Sequence, residues 1–235
     1  MGIRVLSYNI RSLRDDPAAV ARVIAACRAD VVCLQEAPRF AFWRGRRRVL
    51  AHRTGLVPVV NRRAGGLAIL CRPGVRVLAT GHRLLRRYPG LHLRAVSLVV
   101  LESPEPGGGP LTVACTHLDL EERARLQHAG EVVAHLRGMA AEHAAPPVLA
   151  GDINCAPDGA AWRLLAGELC DAGAERPLGE PFTFTARRPR VRIDGIFTGP
   201  ELTVLGAGVP VARIAAADLA SASDHRPVLA EVARR

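Results

Sequence analysis

Apolar residues in this chain fall into short runs, and most runs stop on a polar side chain. Ile3 to Ile10 alternates as a strand does and ends near Asn9. Asp15-Asp16-Pro17 is a helix-start signal, and Ala18 to Ala29 follows with helical spacing through Val20, Val23, Ile24 and Cys27. Val31 to Glu36 reads as a buried strand ending on an acid. Gly66–Cys71 and Val75–Thr80 read as an antiparallel pair joined at Arg72-Pro73-Gly74. His92–Leu101 and Leu111–Thr116 read as another pair, with a Gly/Pro-rich, mobile loop from Ser103 to Pro110. Glu121 to Glu142 is the longest predicted helix, with Leu126, Ala129, Val133 and Leu136 along one stripe. Pro146-Pro147 breaks it before the apolar run Val148-Leu149-Ala150, which ends in Gly151-Asp152-Ile153-Asn154. A helix over Ala160–Leu169 and strands at Arg192–Phe197, Leu202–Leu205 and Val228–Val232 complete the reading. Strands alternate with helices and hairpins, without a repeat or a composition break. That order predicts mixed sheets covered by helices, one α/β domain with the character of a sandwich.

Composition narrows the class. Of 235 residues, 49% are hydrophobic, enough for a sizeable core, yet no run is long enough for a membrane span. The first residues enter a strand pattern directly, without a leader's long apolar region, so the expected compartment is the cytoplasm. The six cysteines form no C-x-x-C pair, and several sit inside apolar runs; they read as buried free thiols. Net charge is +10, and all 32 basic residues are arginine. Such a surface favours polyanionic partners, including nucleic acid, anionic lipid and phosphorylated metabolites. Nothing in the sequence points to a protein partner. The densest basic stretch, Arg39 to Arg48, interleaves Phe40, Phe42 and Trp43 with Arg39, Arg44, Arg46, Arg47 and Arg48. It reads either as a solvated loop capping the core or as a loop that contacts phosphates and stacks on bases.

The polar residues at strand ends are Asn9, Glu36, His117 with Asp119, Asp152 with Asn154, Asp194, and Asp224 with His225. Each alone has an ordinary explanation as a cap or a surface group. Together they are the set that phosphate-ester hydrolysis needs. Glu36, Asp224 and Asn9 offer the oxygens preferred by a hard divalent cation such as magnesium, and manganese suits the same ligands. A carboxylate, or a histidine with its own carboxylate partner, can orient a water and take its proton. Imidazolium, carboxamide and guanidinium donors stabilise charge on the phosphoryl oxygens.

The ordered motifs Leu6-Ser7-Tyr8-Asn9-Ile10-Arg11, Leu34-Gln35-Glu36, Thr116-His117-Leu118, Gly151-Asp152-Ile153-Asn154, Arg192-Ile193-Asp194-Gly195-Ile196-Phe197 and Ser223-Asp224-His225-Arg226-Pro227-Val228 resemble those of the endonuclease/exonuclease/phosphatase superfamily. That superfamily includes deoxyribonuclease-I-like nucleases, neutral sphingomyelinases and inositol polyphosphate phosphatases. The resemblance spans residues 3 to 230. It implies a four-layer α/β sandwich with two packed mixed β-sheets flanked by helices. It further implies Glu36 as principal metal ligand with Asn9 beside it, and Asp224 completing the metal environment. Asp152 would orient the water, and Asn154 would hold a phosphoryl oxygen. His225, oriented by Asp194, would act as general base or phosphate ligand, and His117 would stabilise the phosphoryl group. The implied activity is a magnesium-dependent phosphodiesterase, a nuclease in the first reading. The alternative substrate is a phospholipid or a phosphorylated small molecule.

Five departures qualify the resemblance. Asp194 is followed by Gly195 instead of an aromatic residue, which is expected to widen the site. Ala64-Gly65-Gly66 lacks the acid that nucleases place beside the His117 equivalent, which leaves His117 a phosphate donor. Cys155-Ala156-Pro157 replaces the arginine of inositol phosphatases, and Pro181-Phe182-Thr183-Phe184 stands where apurinic endonucleases tend to have a Thr-Trp pair. A chain of 235 residues also leaves little room for long DNA-gripping insertions. Arg94, Arg44 and Arg192 are the substrate-binding candidates: Arg94 from a central strand, Arg44 from the basic stretch, Arg192 from the arginines before Asp194.

Overall fold

A computed structural model describes residues 2–102 and 109–235, so Ser103–Gly108 of the expected Gly/Pro-rich loop lie outside the described residues. Two mixed six-stranded sheets pack face to face, with helices on the outer faces. The first sheet runs β11 (Leu202–Gly208), β12 (Val228–Arg234), β1 (Ile3–Asn9), β2 (Val31–Gln35), β4 (Ala68–Cys71), β3 (Val57–Asn61). The second runs β5 (Val77–Leu84), β6 (Ala95–Glu102), β7 (Pro110–His117), β8 (Pro147–Asp152), β10 (Asp194–Thr198), β9 (Cys170–Asp171). The parallel pairs are β1 with β2 and β7 with β8.

Residues on the inner faces, such as Val5, Cys33, Ile69, Val99, Val113, Ala150 and Ile196, form the core between the sheets. On the outer face of the first sheet, Leu6, Tyr8, Val32 and Leu34 pack against α1 (Pro17–Cys27). Asp16 caps α1 by accepting from Ala18 and Ala19 N–H at 2.8 and 3.0 Å, as the Asp-Asp-Pro signal predicts. On the outer face of the second sheet, α3 (Glu122–Glu142) and α4 (Ala160–Glu168) bury Ala129, Val133, Leu136 and Trp162. Leu126, assigned to that stripe from its spacing, is exposed instead. Short helices α5 (Ala172–Glu175) and α6 (Ala216–Ser221) fill connections. Among the described residues, no helix is long and apolar enough to cross a membrane. All six cysteines are free, four of them buried.

Two expectations need correction. The runs on either side of Arg72-Pro73-Gly74 do not pair with each other. Ala68–Cys71 lies between β2 and β3, whereas β5 joins β6 in the other sheet. The turn therefore carries the chain from one sheet to its partner. A tight turn between two apolar runs has the same local chemistry in either arrangement. The basic stretch is a loop only over 39–42: Trp43–Thr54 forms α2. Arginine, leucine and alanine are good helix formers, but α2 has no side-chain cap and no acid in its first turn to announce it. The edge strand β3, which contains Pro58 and is mostly exposed, carries too weak an apolar pattern to be read from sequence.

Candidate active site

The topology brings the polar strand ends to one edge. The parallel pair β1 and β2 delivers Asn9 and Glu36 at their C-terminal ends. β12 runs antiparallel to β1, so the residues just before it, Asp224 and His225, arrive at the same edge. In the second sheet His117 stands opposite Asp152, and Asp194 stands opposite Asp152 from the other side. Gly151 is required here: a Cβ at this position would lie 2.6 Å from the Thr116 carbonyl oxygen. Glu36 (φ 47°) and Asn154 (φ 56°) both adopt the left-handed conformation that non-glycine residues seldom take. Local strain at two neighbouring positions is a mark of a functional edge.

Asn9 is the hub. Its amide nitrogen lies 2.9 Å from Asp152 Oδ2, 3.3 Å from Glu36 Oε1 and 3.5 Å from His225 Nε2. Its oxygen accepts from the Arg11 N–H at 3.1 Å, which fixes the amide orientation. Asn9 therefore presents a donor to the two carboxylates. Ser223 Oγ donates to the Asn9 carbonyl at 2.8 Å and accepts from the His225 N–H at 3.4 Å, tying the two together.

His225 Nδ1 lies 2.9 Å from Asp194 Oδ2, and its Nε2 lies 3.7 Å from Asp152 Oδ2. Asp194 is held in turn by Thr183, whose Oγ1 accepts from the Ile193 and Asp194 N–H groups at 3.1 and 3.2 Å. The Phe184 ring covers the imidazole at 5.0 Å between centroids. Burial opposes a charge on His225, but Asp194 in contact, with Asp152 and Asp224 nearby, overcomes it and raises the imidazole to about 10. Asp152 is pushed up to about 7, first by burial and then by Asp194, against the pull of His225, Asn9 and the Asn154 N–H. His117 Nε2 lies 3.4 Å from Asp152 Oδ2. Burial, then Arg94 and His225, hold His117 well below the ordinary histidine value, so it is neutral. Among the described residues no other acid pairs with it.

A cleft of about 390 Å³ opens over this floor. Glu36, Arg94, His117, Asp152, Asn154 and His225 line it, with Arg39, Phe40 and His92 toward the mouth. Arg94 precedes β6 and is anchored by Asp119, Nε to Oδ2 at 3.3 Å, so a buried guanidinium faces the cleft. Asp119 neither orients His117 nor caps α3; it accepts from Arg94 and from the Glu121 N–H. Asn154 donates to the Leu118 carbonyl at 2.9 Å while its backbone N–H holds Asp152 Oδ1.

Three of the sequence-predicted residues stand elsewhere. Asp224 pairs with Arg11 Nε at 3.2 Å and lines a separate depression. Arg192 is bonded to Asp171 at 2.6 and 3.1 Å and stacks on Trp162, because the strand turns it away from the cleft. Arg44 projects from α2 over the Trp43 ring. Gly195 does not widen the site: a Cβ there would lie 2.8 Å from the Trp162 ring, which fills the space an aromatic neighbour would take.

One structural residue escaped the sequence reading. Arg47 is buried and donates to the carbonyls of Ala37, Pro38, Arg62 and Leu67 and to Asn61 Oδ1. It thereby fixes the backbone that follows Glu36. Only its place in a run of five arginines was visible, and nothing in the run distinguishes it.

The oxygen-rich floor fits a hard divalent cation. Asp152 and Asp194 are buried together, and Glu36 has no cationic partner among the described residues. Asp152, Asp194 and His225 lie within 4.8 Å of one another, but the imidazolium on Asp194 has no lone pair to give, which leaves Glu36, beside Asp152, as the carboxylate for a cation. Added positive charge would offset the burial and the Asp194 repulsion that raise Asp152.

Comparison with known proteins bears on the same residues. An endonuclease/exonuclease/phosphatase from Bacteroides vulgatus superposes with a TM-score of 0.82 at 22% identity, covering 100% of each chain. A mannosyl-6-phosphatase from Bacteroides thetaiotaomicron gives 0.82 at 20% identity, covering 98% of this chain and 99% of its own. The human Nocturnin catalytic domain with bound sulfate anion gives 0.74 at 18% identity, covering 100% and 95%. A sequence comparison with curated proteins finds no match. At these identities the likeness is one of fold. The model of the Endonuclease/Exonuclease/phosphatase family matches residues 6–225, and these span every strand-end residue described above. The chain belongs to that family, whose members are hydrolases acting on phosphoester bonds.

Proposed function

We propose that the chain is a divalent-metal-dependent phosphodiesterase, a nuclease in its first reading, that hydrolyses its substrate by in-line attack of water. The observation that carries this is the buried Asp194–His225 pair beside Asp152 on the floor of a cleft that Arg94 and His117 also line. Asp152 orients the water and takes its proton as the new P–O bond forms and the bond to the leaving oxygen breaks. Asp194 holds the His225 imidazolium, which donates to a phosphoryl oxygen together with Arg94. Neutral His117 adds a further donor, and Asn154 holds the loop that aims Asp152. Glu36, beside Asp152, would hold magnesium or manganese, which would supply charge neutralisation at the phosphoryl group. Asp224, paired with Arg11, contributes at longer range through the field at His225.

The basic surface favours nucleic acid over a small substrate. A specific observation supports a second reading, a phospholipid or phosphorylated small molecule: the cleft is compact, and Phe40 (62% exposed) and Leu120 (72% exposed) stand at its rim. Incubation with labelled oligonucleotide and with bis-p-nitrophenyl phosphate, in magnesium, tests the choice. Salt-sensitive cleavage of the oligonucleotide supports the nuclease; turnover of the ester with intact oligonucleotide moves the assignment to the second reading.

A further inference from the structure

Charge is divided unevenly along the chain. Residues 37–101 contain fourteen arginines and not one aspartate or glutamate. The remaining 170 residues carry eighteen arginines against all 22 acids, so the whole net charge of +10 arises in this one segment. The segment supplies α2, β3, β4 and β5. β3 is the edge strand of the first sheet and β5 the edge strand of the second, and the two touch along one flank.

Some of these arginines have structural partners. Arg47 is buried among carbonyls, Arg72 pairs with Asp30, Arg76 with Glu102 and Arg94 with Asp119. Others have none. Among the described residues Arg39, Arg62, Arg63 and Arg83 lack a carboxylate within ion-pair distance. They are also connected in space. Arg39 lines the cleft, and Arg63 Nε donates to its carbonyl at 2.9 Å. Arg62 adjoins Arg63 in the chain. Across the seam, His82 on β5 is pushed below the ordinary histidine value by burial and then by the nearness of both Arg62 and Arg83. The cations thus form a line from the cleft mouth over the end of β3 to β5. Beyond β5 the line ends near Glu131, which accepts from the Arg86 N–H.

Like charges lined up without counterions repel one another, and the fold gains nothing from them. A polyanion would relieve that repulsion and release its own counterions. β5 alone extends about 26 Å at 3.3 Å per residue, within the reach of a few nucleotides. A narrow line of cations running into a cleft matches a flexible phosphate backbone more closely than it matches a flat bilayer.

We propose that the β3–β5 seam is a track for single-stranded nucleic acid, holding the strand beyond the scissile phosphate through Arg39, Arg63, Arg62 and Arg83. This rests on the nuclease reading. It assigns binding to a surface outside the cleft, so the two can fail separately.

The test is binding of a fluorescent single-stranded oligonucleotide by anisotropy, in EDTA, over a salt titration. Wild type is compared with Arg62→Glu/Arg83→Glu and with Arg62→Lys/Arg83→Lys, all of exposed residues, with circular dichroism as the folding control. The glutamate variant is expected to bind roughly tenfold more weakly at low salt, with the slope of log K against log salt reduced by about 0.7 per lost contact. The lysine variant is expected to keep the slope, and both are expected to turn over bis-p-nitrophenyl phosphate as wild type does. Unchanged oligonucleotide binding in the glutamate variant overturns the track while the nuclease reading stands. So does loss of binding to anionic vesicles alone, which would assign the seam to a lipid surface. A parallel loss of ester turnover would place the effect in the cleft and also overturn it. A wild type that turns over the ester but neither binds nor cleaves oligonucleotide overturns the nuclease reading itself.

Discussion

The cleft floor and the β3–β5 flank treat charge in opposite ways. On the floor, Asn9, Asp152, Asp194 and His225 are all at least nine-tenths buried, and each has a named partner within hydrogen-bond reach. On the flank, Arg62, Arg63 and Arg83 stand exposed, with no carboxylate partner among the described residues. The floor spends stability on a fixed arrangement: two carboxylates are crowded, Asp152 is raised to about 7, and Glu36 and Asn154 sit in strained backbone. The flank fixes little and offers a field. The difference teaches where to look for chemistry and where to look for affinity. Substitutions on the floor are expected to change rate, and substitutions on the flank to change binding and its salt dependence.

The floor carries the largest expected effects. His225→Ala is expected to lower turnover roughly 10³-fold with the fold retained, measured as kcat on a small diester beside a circular dichroism spectrum. Asp194→Asn keeps the shape and removes the charge that holds His225, and about a hundredfold loss in kcat is expected. Equal rates for Asp194→Asn and wild type would separate Asp194 from the chemistry. Arg47 and Arg44 sharpen the comparison within one helix. Arg47→Leu leaves four carbonyls, three of them in buried contacts, and Asn61 without their donor, and about 3 kcal/mol of destabilisation is expected from denaturant unfolding. Arg44→Ala, three residues earlier on the exposed face, is expected to move Tm by less than about 2 °C. Similar losses for both would mean that the run acts as a unit.

The strand-end residues were legible because each closes an apolar run, and because a strand delivers its last side chain to a sheet edge whatever its partners are. Glu36, His117, Asp152, Asn154 and His225, read in this way, line one cleft, with Asp194 bonded to His225 behind it. The end of a run does not say which way a side chain turns after the strand stops, so Asp224 and Arg192 were expected in the cleft and instead meet Arg11 and Asp171. The arginines were the least legible. Arg39 lines the cleft, Arg44 stacks on Trp43 and Arg47 is buried, all within nine residues of like composition. One residue type performs three tasks there, and only tertiary contacts tell them apart. The sheet change at Arg72–Gly74 was hidden for a similar reason, since partner choice lies with β2, β3 and β6, outside the two runs and their turn. Thr183, which holds Asp194 through its hydroxyl, was visible only as a departure from a familiar pair.

The central claim is that Asp152 is the carboxylate that readies water in a metal-dependent phosphodiesterase. Its most direct test is hydrolysis of bis-p-nitrophenyl phosphate by wild type and Asp152→Asn, each in EDTA and after magnesium or manganese is restored. The account predicts turnover only by wild type with metal, and a folded, inactive variant under every condition. Turnover by Asp152→Asn at the wild-type rate, or wild-type turnover undiminished in EDTA, would contradict it.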